Sequence, residues 1–306
     1  MKIAILRDQI FPDSSIDEQD NKMEADFAEQ HLFKLHIVKQ IEFDSDLSRV
    51  MAEINDFQPD VVFNLVESVC KNDALAAVAV QLLEAMNIPF TGNKSYAQVV
   101  TSSKSLTKKV LLDKHIPTPA ISFLPNTEFI FKADTEHASI GLDDSCVRSF
   151  TSAEEMNAFM KLKKEQTGHG WMAEQYVDGR EFNCAFLGDI ILPPAELRFD
   201  PKFSGHKIRT YEAKWNEDSA SYSMITKSFE IESEIVERLK ELTILCKERL
   251  VLDGYARIDF RMDRKKNIYV IDVNTNPCIS PDSGFISMVE HSGMTMDEMF
   301  EKIIEI

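Results

Sequence analysis

The residues best able to do chemistry lie in Tyr255-Ala256-Arg257-Ile258-Asp259-Phe260-Arg261-Met262. Alternation along a strand puts Ala256, Ile258, Phe260 and Met262 on one side and Arg257, Asp259 and Arg261 on the other, so a charged face opposes a core face. After a polar turn at 263–267, Ile268-Tyr269-Val270-Ile271-Asp272-Val273-Asn274 reads as the partner strand, with Asp272 and Asn274 on one face. If the hairpin pairs in register, two carboxylates, an amide and a guanidinium converge. Such a set suits a hard cation that keeps several waters and is also held by substrate phosphates, which describes Mg²⁺. The solvated outer face of an ordinary hairpin shows the same alternation. The residues just beyond the hairpin favour chemistry: Asn274-Thr275-Asn276-Pro277 ends the strand in a polar turn, and Ser280-Pro281-Asp282-Ser283-Gly284 is rich in groups able to hold a small anion.

The elements needed to position these residues read as an α/β chain. Apolar runs at Ile3 to Leu6 and Asp60 to Leu65 alternate with amphipathic segments at Ala25 to Leu35 and Ala74 to Met86. Asn87 to Gly92 closes this unit with turn chemistry, and Ser102 is suited to cap a helix reaching through Lys108 and Lys109 to Asp113. Ile116-Pro117-Thr118-Pro119 forces extended backbone. A compact α+β unit comes next, with strands at Phe129 to Lys132 and Cys146 to Phe150, and a helix opened by Ser152 with Glu155 in the capping-box position. Strands at Trp171 to Val177 and Glu181 to Leu187 succeed it, the second turning through Gly188-Asp189 into Ile190 to Leu192 as a type II′ hairpin. Ile235, Val236, Leu239, Leu242 and Cys246 fall at helical spacing.

The 306 residues suffice for two domains or three small ones. A net charge of -17 repels phosphate backbones and anionic lipid, so neither a nucleic-acid polymer nor a membrane is expected as a partner. No apolar run approaches the ~20 residues of a membrane span. Arg7 and Asp8 interrupt the first apolar stretch too early for a signal peptide. Five scattered cysteines lack metal-ligand spacing, which points to reduced thiols in a cytoplasmic protein.

Gly254 to Asp259 followed by Ile271 to Pro277 resembles the ATP-grasp enzymes, in their D-alanine–D-alanine ligase branch. Asn87 to Gly92, Ser103 to Lys109, Ile116 to Pro119, Phe131 to Gly141, Glu174 to Glu181 and Tyr211 to Trp215 resemble successive motifs of that branch, in order. The resemblance implies an ATP-grasp fold: a Rossmann-like α/β domain at 1–95, a central α+β lid at 96–180, and an α+β domain at 181–306 carrying the metal and substrate site. It also allows a homodimer.

By that resemblance, Lys104 and Lys132 reach the nucleotide phosphates. The segment 134–141 becomes the phosphate-covering loop, with Glu136 and Ser139 matching it while His137 and Ala138 replace its glycine and first serine. Glu174, Gln175 and Val177 meet adenine, and Glu181 accepts from ribose. Lys214 faces phosphate, Arg257 stabilises charge on the transferring phosphoryl group and the tetrahedral intermediate, and Asp259, Asp272 and Asn274 hold two Mg²⁺ ions or Mn²⁺. Cys278 stands where the family has an oxyanion-site glycine, and is also weighed as a nucleophile. Ser283 and Gly284 match the place that receives the second substrate's carboxylate.

The implied reaction joins a carboxylate to an amine through an acylphosphate, releasing ADP. The substrate side departs from the family: Arg7-Asp8-Gln9 replaces a Gly-Gly loop, Leu65-Val66-Glu67-Ser68 stands where a His-Gly pair is usual, and Trp215 replaces a tyrosine. Small-molecule substrates other than two D-alanines are therefore expected. The alternatives are a nucleotide-binding module without ligase activity, and an atypical D-alanine–D-alanine ligase using Glu67 for the ammonium.

Overall fold

Ile3, Ala4, Ile5 and Leu6 are all fully buried, which a strand achieves only when both faces of its sheet are covered. They belong to β1 (Lys2–Asp8), the middle strand of a parallel sheet of order β2-β1-β3, with β2 at Ile37–Phe43 and β3 at Val61–Asn64. Ile3 and Ile5 face a core shared with α1 (Ile16–Leu32), whereas Ala4 and Leu6 face α2 (Leu47–Phe57) and α3 (Ala77–Ala85). The computed structural model describes residues 1–136, 139–216 and 218–305.

Helix α1 starts well before the amphipathic stretch expected from Ala25. Glu18 accepts the Ser15 N–H at 2.9 Å, a capping contact, and the polar first turns hide the helix from any search for apolar periodicity. Strand β2 and helix α2 are likewise not expected from the sequence; β2 exposes Ile37 and buries only Ile41 and Phe43, so its pattern is weak.

A second, antiparallel sheet has the order β5-β4-β6, with β4 at Glu128–Ala133, β5 at Val147–Ser149 and β6 at Trp171–Gln175. Phe129 and Phe131 pack beneath it with Met156 of α6 (Ala153–Thr167). The Ser152 hydroxyl does cap α6, accepting from the Glu155 N–H at 3.2 Å, but the return leg goes elsewhere: the Glu155 carboxylate accepts from Thr151.

The third sheet runs β10-β9-β7-β11-β12, from β7 (Gly179–Leu187), β9 (Ala195–Phe199), β10 (Ile225–Ser228), β11 (Tyr255–Asp263) and β12 (Ile268–Asn274), with β8 (Ile190–Ile191) folded back on β7. Gly188 has φ +56°, as the expected hairpin turn requires. Beneath the sheet, Phe182, Cys184, Ile258 and Phe260 pack with Leu239 and Leu242 of α9 (Ser233–Arg249), and with Ala97 and Leu111 of α4 (Ser95–Thr101) and α5 (Lys104–Asp113). Helices α4 and α5 thus share the core of the third sheet. Ser103 rather than Ser102 caps α5, accepting from the Leu106 N–H, while Ser102 ends α4.

On the opposite face, α10 (Gly284–His291) and α11 (Met296–Glu305) cover Ala185 and Leu187, and α11 returns to α1 through Phe300 and Phe27. The rest of that face looks toward the second sheet across a cleft. The short helices α7 (Tyr211–Trp215) and α8 (Ala220–Ser223) lie between β9 and β10 in sequence. A close glycine contact fixes the start of β11: a Cβ on Gly254, at φ +59°, would stand 2.7 Å from the Gly92 Cα. Beside it, the Asn93 side chain donates to the Tyr255 and Thr275 carbonyls at 2.8 and 2.9 Å, tying the first unit to β11 and to the end of β12. Among the described residues no helix is long and apolar enough to cross a membrane.

Candidate active site

In the β11–β12 ladder, Arg257 stands opposite Asn274 and Asp259 opposite Asp272, before a bulge shifts the register after Asp259. Opposed residues in an antiparallel pair share a face, so these four side chains are neighbours above the sheet. From the other flank, β7 sets Asn183 opposite Asp259. Arg257 grips Asp259 in a bidentate pair at 2.8 and 3.0 Å, and the Asn183 amide donates to the same carboxylate at 2.6 Å. Burial works against the Arg257 charge, yet Asp259 and Asp272 outweigh it and hold its pKa above the usual arginine value. The Asn274 side-chain oxygen accepts the Asn276 N–H at 2.9 Å, fixing the turn at the end of β12.

The second sheet contributes a buried charge cluster. Lys132 on β4 and Lys108 on α5 each meet the Glu174 carboxylate on β6 at 2.6 Å, and Glu174 is only 1% exposed. Burial opposes every charge here, but two lysines lower the Glu174 pKa, and Glu174 in turn raises that of Lys132. For Lys108 burial wins and its pKa falls; the ammonium is completed by Thr118 and the Val270 carbonyl, both at 2.9 Å. Sequence reasoning places Lys108 merely on a helix, because spacing alone does not mark a lysine as buried. Gln175 donates its N–H to the Ala120 carbonyl at 2.8 Å, so that donor is not available to a base, whereas the Val177 N–H has no partner among the described residues.

Lys104, in the first turn of α5, donates to the Glu136 carbonyl and so ties α5 to the chain just after β4. The Glu136 carboxylate meets His169 at 2.9 Å, and Ser139 lines the cleft. His137 and Ala138 lie outside the described residues. Glu181 is paired with Arg261 at 2.8 Å. Lys214 also lines the cleft; burial lowers its pKa, and its ammonium lies 4.6 Å from the centre of the Trp215 ring. Arg209, which no sequence motif singles out, completes the wall beside Arg257. Burial and then Arg257 lower its pKa, and it makes no hydrogen bond or ion pair among the described residues.

The cleft thus brings together Lys104, Lys132, Glu136, Ser139, Glu174, Gln175, Val177, Glu181, Lys214, Arg257, Asp259, Asp272, Asn274 and Gly284. Glu67, Trp215, Cys278 and Ser283 do not line it. Ser283 caps α10 through a hydrogen bond from the Ile286 N–H, leaving Gly284 as the residue that reaches the wall. Glu67 instead lines a small pocket that shares Asn274 with the cleft. Around it, burial pushes Asp8 up to about 7, Glu24 to about 8 and Glu67 well above the carboxylate range, the last helped by Glu24 and Asp8.

The nucleophile reading of Cys278 needs correction. Its thiol donates to Asp20 at 3.1 Å, and burial together with Glu24 and Asp20 pushes its pKa well up. A nucleophilic cysteine requires the opposite shift. The ligand atoms of Asp20, Glu24 and Cys278 lie within 4.8 Å of one another, but this group is knit by its own hydrogen bonds, including Ser280 to Asp20 at 2.6 Å and the Ile279 N–H to Glu24 at 3.0 Å.

Asp259, Asp272 and Asn274 offer oxygen donors alone, on two paired strands. That donor set fits a hard cation such as Mg²⁺ or Mn²⁺ and offers nothing to a metal that prefers thiolate or imidazole.

Residues 128–305 match the family model described as D-ala D-ala ligase C-terminus. A D-alanine–D-alanine ligase from Sphingopyxis alaskensis is 27% identical over 288 residues, covering 88% of this chain and 87% of that protein. One from Aquifex aeolicus is 28% identical over 282 residues, covering 89% and 88% respectively. Among solved structures, the D-alanine–D-alanine ligase from Bacillus anthracis complexed with ATP superposes with a TM-score of 0.76, covering 100% of this chain and 96% of that one. At 18% identity that likeness is one of fold.

Proposed function

The chain belongs to the D-alanine–D-alanine ligase family and is an ATP-dependent ligase of ATP-grasp fold; from that premise we propose that it joins amino-acid-like carboxylate and amine substrates other than two D-alanines. The observation that carries the reading is the in-register face of Arg257, Asp259, Asp272 and Asn274, set opposite Lys104 and Lys132 across one cleft.

A substrate carboxylate oxygen attacks the γ-phosphorus of ATP, the bond to the bridging oxygen breaks, and ADP leaves an acylphosphate behind. The amine then attacks the acyl carbon, and phosphate departs as the amide forms. Lys104 and Lys132 balance phosphate charge from the lid side; Lys132 can keep Glu174, because an ammonium has three donors. Arg257 and Lys214, both on the cleft wall, would offset the charge that develops on the transferring phosphoryl group and the tetrahedral oxyanion. Asp259, Asp272 and Asn274 would hold Mg²⁺, which when bound neutralises phosphate charge. The covering segment 134–141 keeps water from the acylphosphate.

Two features support substrates other than D-alanine. Leu65-Val66-Glu67-Ser68 stands where the family has a His-Gly pair, and the bulkier Cys278 comes directly after the Asn-Thr-Asn-Pro turn where a glycine is usual. The three-domain division, a cytoplasmic setting and a homodimer are part of the same proposal, the last open to light scattering. The functional test is ADP release coupled to an indicator, over amino acids and dipeptides with D-alanine included. Amine-dependent ADP from a pair other than two D-alanines is expected. Measurable ATP binding without amine-dependent ADP across the panel would overturn ligation in favour of a binding module, and activity with D-alanine alone would make the protein a D-alanine–D-alanine ligase like its relatives.

A further inference from the structure

The row of residues that crosses the third sheet at Glu181 ends on a cation. Antiparallel register sets Arg261 opposite Glu181, Glu181 opposite Leu197, and Leu197 opposite Lys227. Arg261, Glu181 and Leu197 all line the cleft, and opposed residues share a face, so Lys227 rises on the same face at the sheet's outer strand. There its ammonium donates to the Asp282 carbonyl at 2.8 Å and to the Ser287 hydroxyl at 3.0 Å, which places it at the first turn of α10, next to Gly284 on the cleft wall. Arg209 approaches the same wall from the segment before α7.

The charge balance at this end leans positive, although Glu181 and Asp259 attract Arg209 and Glu67 attracts Lys214. Of Arg209, Lys214, Lys227 and Arg257, only Arg257 forms an ion pair with a carboxylate among the described residues. Burial lowers the pKa of Lys227, Arg209 and Arg257 press it the same way, and the exposed Asp282 carboxylate only partly opposes them. In a chain of net charge -17, cations held this close against mutual repulsion need an anion to repay them. ATP phosphates have Lys104 and Lys132 on the far side, and a first carboxylate has Arg257 and Gly284.

We propose that Arg209 and Lys227 form a second anion subsite at the wall beside α10, which selects an amine substrate bearing an additional carboxylate, such as an acidic amino acid or a peptide ending in one. This deepens the ligase reading and rests on it, since it assigns the amine substrate to that wall.

The test uses binding and therefore needs no turnover. The full-length protein is loaded with Mg²⁺ and a non-hydrolysable ATP analogue, then titrated calorimetrically with aspartate, glutamate and alanine of both hands. At least one acidic amino acid is expected to bind tenfold or more tightly than alanine of the same hand. Arg209→Gln and Lys227→Gln should each lower that ratio about tenfold while the Kd of the nucleotide analogue stays within about twofold, and Lys227→Glu should turn the preference toward lysine. Thermal unfolding confirms that each variant is folded. Equal binding of acidic and neutral amino acids by the wild type overturns the subsite. So does a loss confined to the nucleotide, which would assign Arg209 to phosphate. Because ADP release is measured separately, a failure of ligation and a failure of this subsite are told apart.

Discussion

Replacing Glu174 by Gln would leave buried Lys108 and half-buried Lys132 without their shared counter-charge. Glu174 holds both ammonium groups at 2.6 Å and is 1% exposed, and Lys108 is 2% exposed. Removing one partner of such a cluster costs about 3–5 kcal/mol, because the remaining charges stay buried and uncompensated. With an unfolding entropy near 2.1 cal/mol/K per residue, 306 residues give about 0.6 kcal/mol/K, so Glu174→Gln lowers Tm by about 5–8 °C. Lys108→Met is milder, at about 1–3 kcal/mol: Glu174 keeps Lys132, and the main loss is the donor to Thr118 and the Val270 carbonyl. The double variant should fall short of the summed losses by about 1–3 kcal/mol, since both changes act on one cluster. Urea and thermal unfolding of the ligand-free protein measure all three. A Glu174→Gln cost under about 1 kcal/mol, or strict additivity in the double variant, would refute the buried-cluster argument.

Gly254→Ala should destabilise by more than about 2 kcal/mol, because its Cβ would collide with Gly92 backbone at a positive φ; a urea midpoint equal to the wild type's would contradict the contact. Asp8 titrates near 7 in the fold against 3.8 for the ordinary group. Its contribution to stability is therefore full below about pH 4 and is lost as pH rises toward 7. Asp8→Asn should flatten the fall in urea midpoint between pH 4 and 7, and an unchanged slope would rule this out. Iodoacetamide at pH 7.5 should label exposed Cys70 before Cys278, whose thiol is half-buried and held protonated. Mass spectrometry of the peptides reads the order, and Cys278 reacting first would restore the nucleophile reading.

Much of the candidate site is legible in the sequence because strand alternation is a local rule. Arg257, Asp259, Asp272 and Asn274 follow from a period of two and a short turn, and the ladder places them as neighbours. Helix α9 shows its buried face in the spacing of Ile235, Leu239, Leu242 and Cys246. The hidden part depends on contacts distant in sequence. Lys108 becomes an ion-pair partner only when α5 meets β6, and Lys227 joins the cleft face only through three strand pairings. The beginning of α1 is invisible for another reason: its first turns are polar, so capping rather than periodicity marks it. Ser283 is expected as a carboxylate contact only through the family resemblance, and here its hydroxyl accepts the Ile286 N–H as the cap of α10.

The central claim is that a substrate carboxylate is activated by phosphoryl transfer in the cleft between the second and third sheets. Supplying the carboxylate substrate found in the ADP-release panel with both oxygens as ¹⁸O, and tracking the label by mass spectrometry, tests it most directly. One ¹⁸O should appear in each phosphate released, with the other retained in the amide. Phosphate carrying no label, while ADP accumulates, would mean that water rather than the carboxylate attacks ATP, and would contradict the claim.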